Sequence, residues 1–235
     1  MTATLSSHQL AGPSRIEPRD GGSDPIRLLI VDDHPAVLLG ERALLDGQPD
    51  MRVVVEARSI EEALGRIDTS IDVAVLDYHF RHGADGLAAI PRLRLLQPAA
   101  RVLVYSAFAD AALAVAALVA GADGLLGKHV VGDELCDVIR RLARGRPHFP
   151  AIPPAVAQAM GARLGSRDQA IFAMLLYGVD STKIAERLSI TEQELAGIRV
   201  SMLRMLRPRE AELGASAQRA VPLDYERVAR ARPAA

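Results

Sequence analysis

The chain predicts a doubly wound α/β sheet followed by a small all-α domain, and three observations carry that prediction. Five short apolar runs alternate with helix-period segments between residues 26 and 146. Strands of a parallel sheet are buried on both faces and read as such runs, with helices as their crossovers. Four prolines, Pro147, Pro150, Pro153 and Pro154, then interrupt the pattern and mark a stiff boundary. Beyond them only helical segments follow, joined by connections of a few residues.

The elements follow in order. A strand is expected over 27–31, then an amphipathic helix over 35–45 that opens on Pro35, a residue suited to a first helical turn. A second strand covers 52–56, and Ser59 with Glu62 three residues later forms a capping-box signature for the next helix. Strands over 72–76, 101–105 and 124–127 are each followed by a helix, over 86–96, 110–121 and 132–144. A connecting helix resumes near Pro154. Three further helices are expected at 166–176, capped by Ser166, at 181–188, and at 191–206, capped by Thr191 with Glu194 three residues on. The expected organisation is a disordered tail over 1–25, a sheet domain over 26–146, a Pro-rich linker and connecting helix over 147–162, a helix-turn-helix domain over 163–207, and a tail over 208–235 expected to be partly disordered.

Composition narrows the class. The 235 residues are 49% hydrophobic but only 3% aromatic, so Ala, Leu and Val must fill the core. The net charge of −1 gives no global signal for nucleic acid or membrane. Cys136 is the single cysteine, which excludes an intrachain disulfide framework and fits a reducing cytoplasm. The longest uncharged stretch, 111–122, is too short to span a bilayer.

Four strands end on reactive polar residues. Leu28-Leu29-Ile30-Val31 runs into Asp32 and Asp33, Val73 to Leu76 into Asp77, Val102 to Tyr105 into Ser106, and Leu125 to Gly127 into Lys128. Ligands of open α/β sheets bind beyond the carboxyl ends of the strands, and in the order 2-1-3-4-5 the first and third strands are neighbours. Three carboxylates so placed repel unless a cation neutralises them, and Mg²⁺ suits an all-oxygen set. A carboxylate there can act as a nucleophile toward a phosphoryl group, with Lys128 as a point charge and Ser106 as a hydroxyl for its oxygens.

Val31-Asp32-Asp33-His34-Pro35, Val75-Leu76-Asp77, Tyr105-Ser106 and Gly121-Ala122-Asp123-Gly124 followed by Lys128 resemble the receiver domain of a two-component response regulator. The stretch 164–206, above all Ile184 to Leu188 and Ile190-Thr191-Glu192, resembles the LuxR-type helix-turn-helix output domain of the NarL/FixJ subfamily. The resemblance implies Asp77 as the phosphate acceptor from a sensor histidine kinase. It implies Mg²⁺ held by Asp32, Asp33, Asp77 and the backbone carbonyl of His79. Ser106 would be the switch hydroxyl and Lys128 the phosphate partner. It further implies a cytoplasmic transcription regulator, not an enzyme, that binds DNA as a homodimer.

Several positions depart from the family pattern. Arg81 stands where a proline is usual after the acceptor, in a loop one residue longer, and Leu125 stands where a switch aromatic is common. His79 and His82 can be read as metal ligands, as a phosphohistidine site, or as plain polar loop residues. The stretch 111–122 carries no charge, which points to burial or to a dimer contact. In the recognition helix the usual basic positions are Gln193, Ala196, Gly197 and Ile198, and Arg199 falls on a usual core position. Residues 163–212 hold eight basic and seven acidic side chains, a thin footprint for a phosphate backbone. Thr182, Lys183, Gln193, Ser201 and Arg204 remain as candidate DNA contacts. The alternative is an output domain that mediates protein contacts rather than DNA binding. A phosphotransfer enzyme using the crevice is a third reading, without a recognisable substrate cap.

Overall fold

The computed structural model describes residues 24–80, 86–130 and 132–206. The expectations for the N-terminal tail, the loop around Arg81 and His82, and the tail beyond 206 fall outside these residues. Strands β1 (Ile26–Val31), β2 (Met51–Ala57), β3 (Val73–Leu76), β4 (Arg101–Ser106) and β5 (Gly124–Gly127) form a parallel sheet in the order β2-β1-β3-β4-β5. This is the order expected from the alternating pattern. Val31 pairs with Leu76 in the β1–β3 register, so Asp32 and Asp77 leave the sheet side by side.

Helices α1 (Pro35–Asp46) and α5 (Asp133–Ala143) cover one face of the sheet, where Leu38, Leu45, Leu135 and Ile139 pack on Leu28, Ile30 and Val75. Helices α2 (Ile60–Arg66), α3 (Gly86–Leu96) and α4 (Ala111–Ala120) cover the other. Local chemistry sets their ends. Ser59 Oγ accepts from the Glu62 N–H at 3.1 Å, as the capping signature requires. Asp110 caps α4 by accepting from the Leu113 N–H at 2.8 Å, and Gly121 closes it in the left-handed conformation at φ 97°.

The proline-rich segment docks rather than dangles. His148 forms a parallel bridge to Gly124, and its carbonyl accepts from the Leu125 N–H at 2.8 Å, which covers part of the β5 edge. Then come α6 (Pro154–Gly161), α7 (Ser166–Leu176), α8 (Ser181–Leu188) and α9 (Glu192–Leu206). One expected cap is corrected: α7 begins after Gly165, which makes Ser166 its first helical residue without a capping bond. The Gln169 N–H already bonds the Gly165 carbonyl, and its side chain returns to the Leu164 carbonyl at 2.9 Å. Thr191 and Glu194 do form the reciprocal cap of α9, at 2.8 and 3.1 Å.

The charge-free helix α4 finds its explanation within the chain. It packs on α3 and on α6, α7 and α9, and Leu113, Val115 and Val119 join a core that continues through Met160, Ile171, Phe172, Leu195 and Met202. Of the two readings of this stretch, the structure shows burial: its apolar surface packs on the chain's own helical domain. Among the described residues, no helix is long and apolar enough to cross a membrane.

Candidate functional site

The crevice lies at the carboxyl ends of β1, β3, β4 and β5. Asp32 follows β1 and is 1% exposed; Asp77 follows β3 and is 5% exposed. Lys128, just after β5, places its ammonium between them, hydrogen-bonded to Asp32 Oδ2 and 2.9 Å from Asp77 Oδ1. The backbone fixes this arrangement. The Asp77 N–H donates to the Val31 carbonyl at 2.9 Å, and the Lys128 N–H donates to the Ser106 carbonyl at 2.7 Å. The Tyr78 N–H donates to Asp77 Oδ1 at 2.8 Å. Gly86 is required where α3 begins, since a Cβ there would lie 2.1 Å from the Asp77 carbonyl oxygen.

Burial pushes the Asp77 carboxyl above its ordinary value, and the Lys128 charge and hydrogen bond offset this only in part. For Lys128, burial works against the charged form, but its hydrogen bond to Asp32 and the charge of Asp77 outweigh it and hold the ammonium above its usual range. Lys128 is thus a cation clamped between the carboxylates of Asp32 and Asp77.

Asp32, Asp33, His34 and Asp77 each bring one ligand atom to within 4.8 Å of one another. Three carboxylates dominate that set, and their chemistry fits Mg²⁺, which prefers oxygen ligands and retains waters. His34 stands at the N-cap position of α1 without a side-chain capping bond: its N–H donates to Asp32 Oδ1 at 2.7 Å, and its Nδ1 lies 2.8 Å from Asp33 Oδ1. Histidine beside the carboxylates was not singled out as part of this group by the sequence. Ser106 is fully buried, and its hydroxyl accepts from the Phe108 N–H at 3.2 Å. His79 is exposed, with its ring edge-on to Tyr78 at 4.2 Å.

Sequence reasoning also missed Glu41. It lies on α1 between Leu38 and Leu45 on the buried face, 7% exposed. Burial, reinforced by the charge of Asp32, pushes its carboxyl up to about 8. Its signal was available: an acid three residues after one apolar core position and four before another.

The candidate DNA contacts scatter over α8 and α9. Lys183, Gln193, Ser201 and Arg204 are exposed, whereas Thr182 is half-buried and donates its hydroxyl to Glu192 at 2.7 Å. Helix α9 packs against α3 and α4. Arg199 enters this seam: its Nη2 donates to Ser181 Oγ at 2.8 Å, and its buried Nε has no hydrogen-bond partner. Gly121 leaves room for it, since a Cβ there would meet Nη1 at 2.4 Å. Burial, with the nearby charge of Arg94, pushes the Arg199 guanidinium down to about 10. A cavity of about 110 Å³ opens between the domains, lined by Arg94, Asp123, Leu175, Asp180 and Arg199 among others.

An acidic pocket closed by a lysine, at the carboxyl ends of a 2-1-3-4-5 sheet, defines a receiver, the phosphate-accepting module of two-component signalling. The family comparison agrees: residues 28–140 match the response regulator receiver domain. The chain is similar to the nitrate/nitrite response regulator protein NarP of Escherichia coli, with 32% identity over 201 residues, 79% of this chain and 90% of that protein. Its similarity to the nitrate/nitrite response regulator protein NarL of the same organism is 28% over 217 residues, 87% of this chain and 98% of that protein. The fold is shared with a structure of RcsB dimers bound to DNA, at a TM-score of 0.52 and 20% identity, covering 84% of this chain and all of that one. The chain belongs to the NarL/FixJ-type response regulators, phosphorylation-controlled regulators of transcription. Nothing among these relatives favours an output domain given over to protein contact alone.

Proposed function

We propose that Asp77 accepts a phosphoryl group from a sensor histidine kinase and that the helical domain answers by binding DNA as a homodimer. The observation that carries this reading is the Lys128 ammonium held between Asp32 and Asp77. An Asp77 oxygen attacks the phosphorus of the donor phosphohistidine, the phosphorus–nitrogen bond breaks, and an acyl phosphate forms. Asp32, Asp33 and Asp77, with the His79 backbone carbonyl, would hold Mg²⁺, which supplies positive charge for the transferred group. Lys128 then exchanges its Asp77 partner for a phosphoryl oxygen, and Ser106 turns its hydroxyl from the Phe108 N–H toward the same group.

The output side of the proposal rests on the helix-turn-helix of α8 and α9 and on the kinship with NarL and NarP. DNA is bound by dimers in the RcsB structure of the same fold. Here Lys183, Gln193, Ser201 and Arg204 are the exposed side chains suited to phosphate or base-edge contact. With α9 seated on α3 and α4, the described arrangement is the closed one, and phosphorylation acts by loosening that seam. A protein with these partners works in the cytoplasm.

Acetyl phosphate with Mg²⁺ is expected to add one phosphoryl group to the wild type and none to Asp77→Asn, read by intact-mass measurement. Equal labelling of both proteins would sink the assignment. Pull-down of genomic DNA by the phosphorylated protein, at low and moderate salt, is expected to enrich discrete sites that Asp77→Asn does not enrich.

A further inference from the structure

We propose that Tyr105 is a positioning residue for Lys128; this rests on the phosphoryl-site reading above. Tyr105 is the residue before Ser106 on β4, 4% exposed, with its ring in the core that α1 and α5 share with the sheet. Its hydroxyl donates to the Val130 carbonyl at 2.6 Å. Val130 lies two residues after Lys128, and its N–H turns back to the Gly127 carbonyl at 2.9 Å. The Lys128 N–H itself donates to the Ser106 carbonyl at 2.7 Å.

Two consecutive residues of β4 therefore hold the turn that carries Lys128 at two points, one by backbone and one by a side chain. A lysine has four rotatable carbons, and its ammonium finds a target by reach. Fixing the turn at both ends sets where that reach begins. Burial, with the charges of Glu41 and Asp32, pushes the phenol above its ordinary range, so it stays a donor at any pH the protein meets. The same β4 end also supplies Ser106, so one short segment sets both groups that meet the phosphoryl oxygens. With Leu125 at the usual aromatic switch position, Tyr105 is the aromatic that ties β4 to the lysine turn.

The Tyr105→Phe variant keeps the ring and its packing, and water can replace the hydroxyl at the half-buried Val130. The test uses the full chain and two calorimetric titrations: Mg²⁺ alone, and beryllofluoride in saturating Mg²⁺. Lys128 would touch the beryllofluoride and not the metal, so the two affinities separate positioning from general loosening. Tyr105→Phe is expected to bind beryllofluoride roughly fivefold more weakly, the worth of one neutral hydrogen bond, with Mg²⁺ affinity unchanged. Lys128→Ala, which also strips the cation from Asp32 and Asp77, is expected to lose beryllofluoride binding more heavily while Mg²⁺ binds more tightly. Unchanged beryllofluoride affinity in Tyr105→Phe, or equal losses for both ligands, overturns the positioning role while wild-type binding keeps the site reading intact. A wild type that binds Mg²⁺ but no beryllofluoride overturns both.

Discussion

The acidic crevice and the seam between the two domains both bury charge, and they do it in opposite ways. In the crevice one ammonium sits between two carboxylates, so each charge has a partner. In the seam Arg94 and Arg101 take the two oxygens of Asp123, at 3.2 Å for Arg101, and Arg199 is left with the Ser181 hydroxyl and an unbonded Nε. A cluster in which each of these charges touches an opposite one can change partners at little cost, which suits a site that admits a phosphoryl group. A cation hydrogen-bonded only to a neutral hydroxyl, whose burial the charges of Asp180 and Glu192 offset only in part, makes its own packing expensive, which would suit the proposed opening of the seam. On the proposed mechanism the crevice exchanges partners in place, and the seam is the joint that parts.

The harshest test of that contrast is steric. Gly86→Ala drives a Cβ into the Asp77 carbonyl, so we expect a loss of about 3 kcal/mol in urea unfolding and phosphorylation by acetyl phosphate reduced well beyond what the lost stability explains. Next comes the pH dependence beneath the crevice. Glu41 binds its proton more tightly folded than unfolded, so its contribution is whole below its ordinary carboxylate range and is lost as pH rises through about 8. Asp77 is shifted in the same direction. Stability should fall by a few kcal/mol, on the order of what such a shift carries, between mildly acidic and mildly alkaline pH. Glu41→Gln should flatten that slope in denaturant titrations; an unchanged slope would place the titration elsewhere.

In the seam the sign reverses. Arg199→Met removes the orphan N–H and keeps the length of the side chain, so we expect the closed form to gain about 1–2 kcal/mol. The phosphorylated variant should bind DNA more weakly than the wild type in fluorescence anisotropy, and a variant that binds more tightly would remove Arg199 from the opening step. The smallest effect belongs to Asp110→Ala, which strips the cap from α4 and should cost about 1 kcal/mol in thermal unfolding while leaving Mg²⁺ affinity alone.

The crevice was readable because polar residues broke apolar runs at fixed places, and strand order then brought them together. Asp32, Asp77 and Lys128 meet as that argument requires. Glu41 carried a signal in its spacing from Leu38 and Leu45, but acids in amphipathic helices are mostly solvated, and only the packing of α1 shows this one buried. The seam was only half readable. The absence of charge in α4 signalled a covered face, but no local pattern says whether a second copy or the chain's own α6, α7 and α9 provides the cover. The Ser166 cap failed for a similar reason, since the helix start shifted by one residue when Gln169 bonded back to Leu164.

Arg199 gives the closed molecule a built-in recoil. Every moment the recognition helix lies against α4, one N–H that water would welcome stays dry. On the proposed opening, hydration of that N–H would favour release of α9 from α4, and phosphorylation would have less to push against than the extent of the shared apolar core suggests. A regulator loaded in this way would keep its resting balance in one side chain of the seam rather than in the crevice.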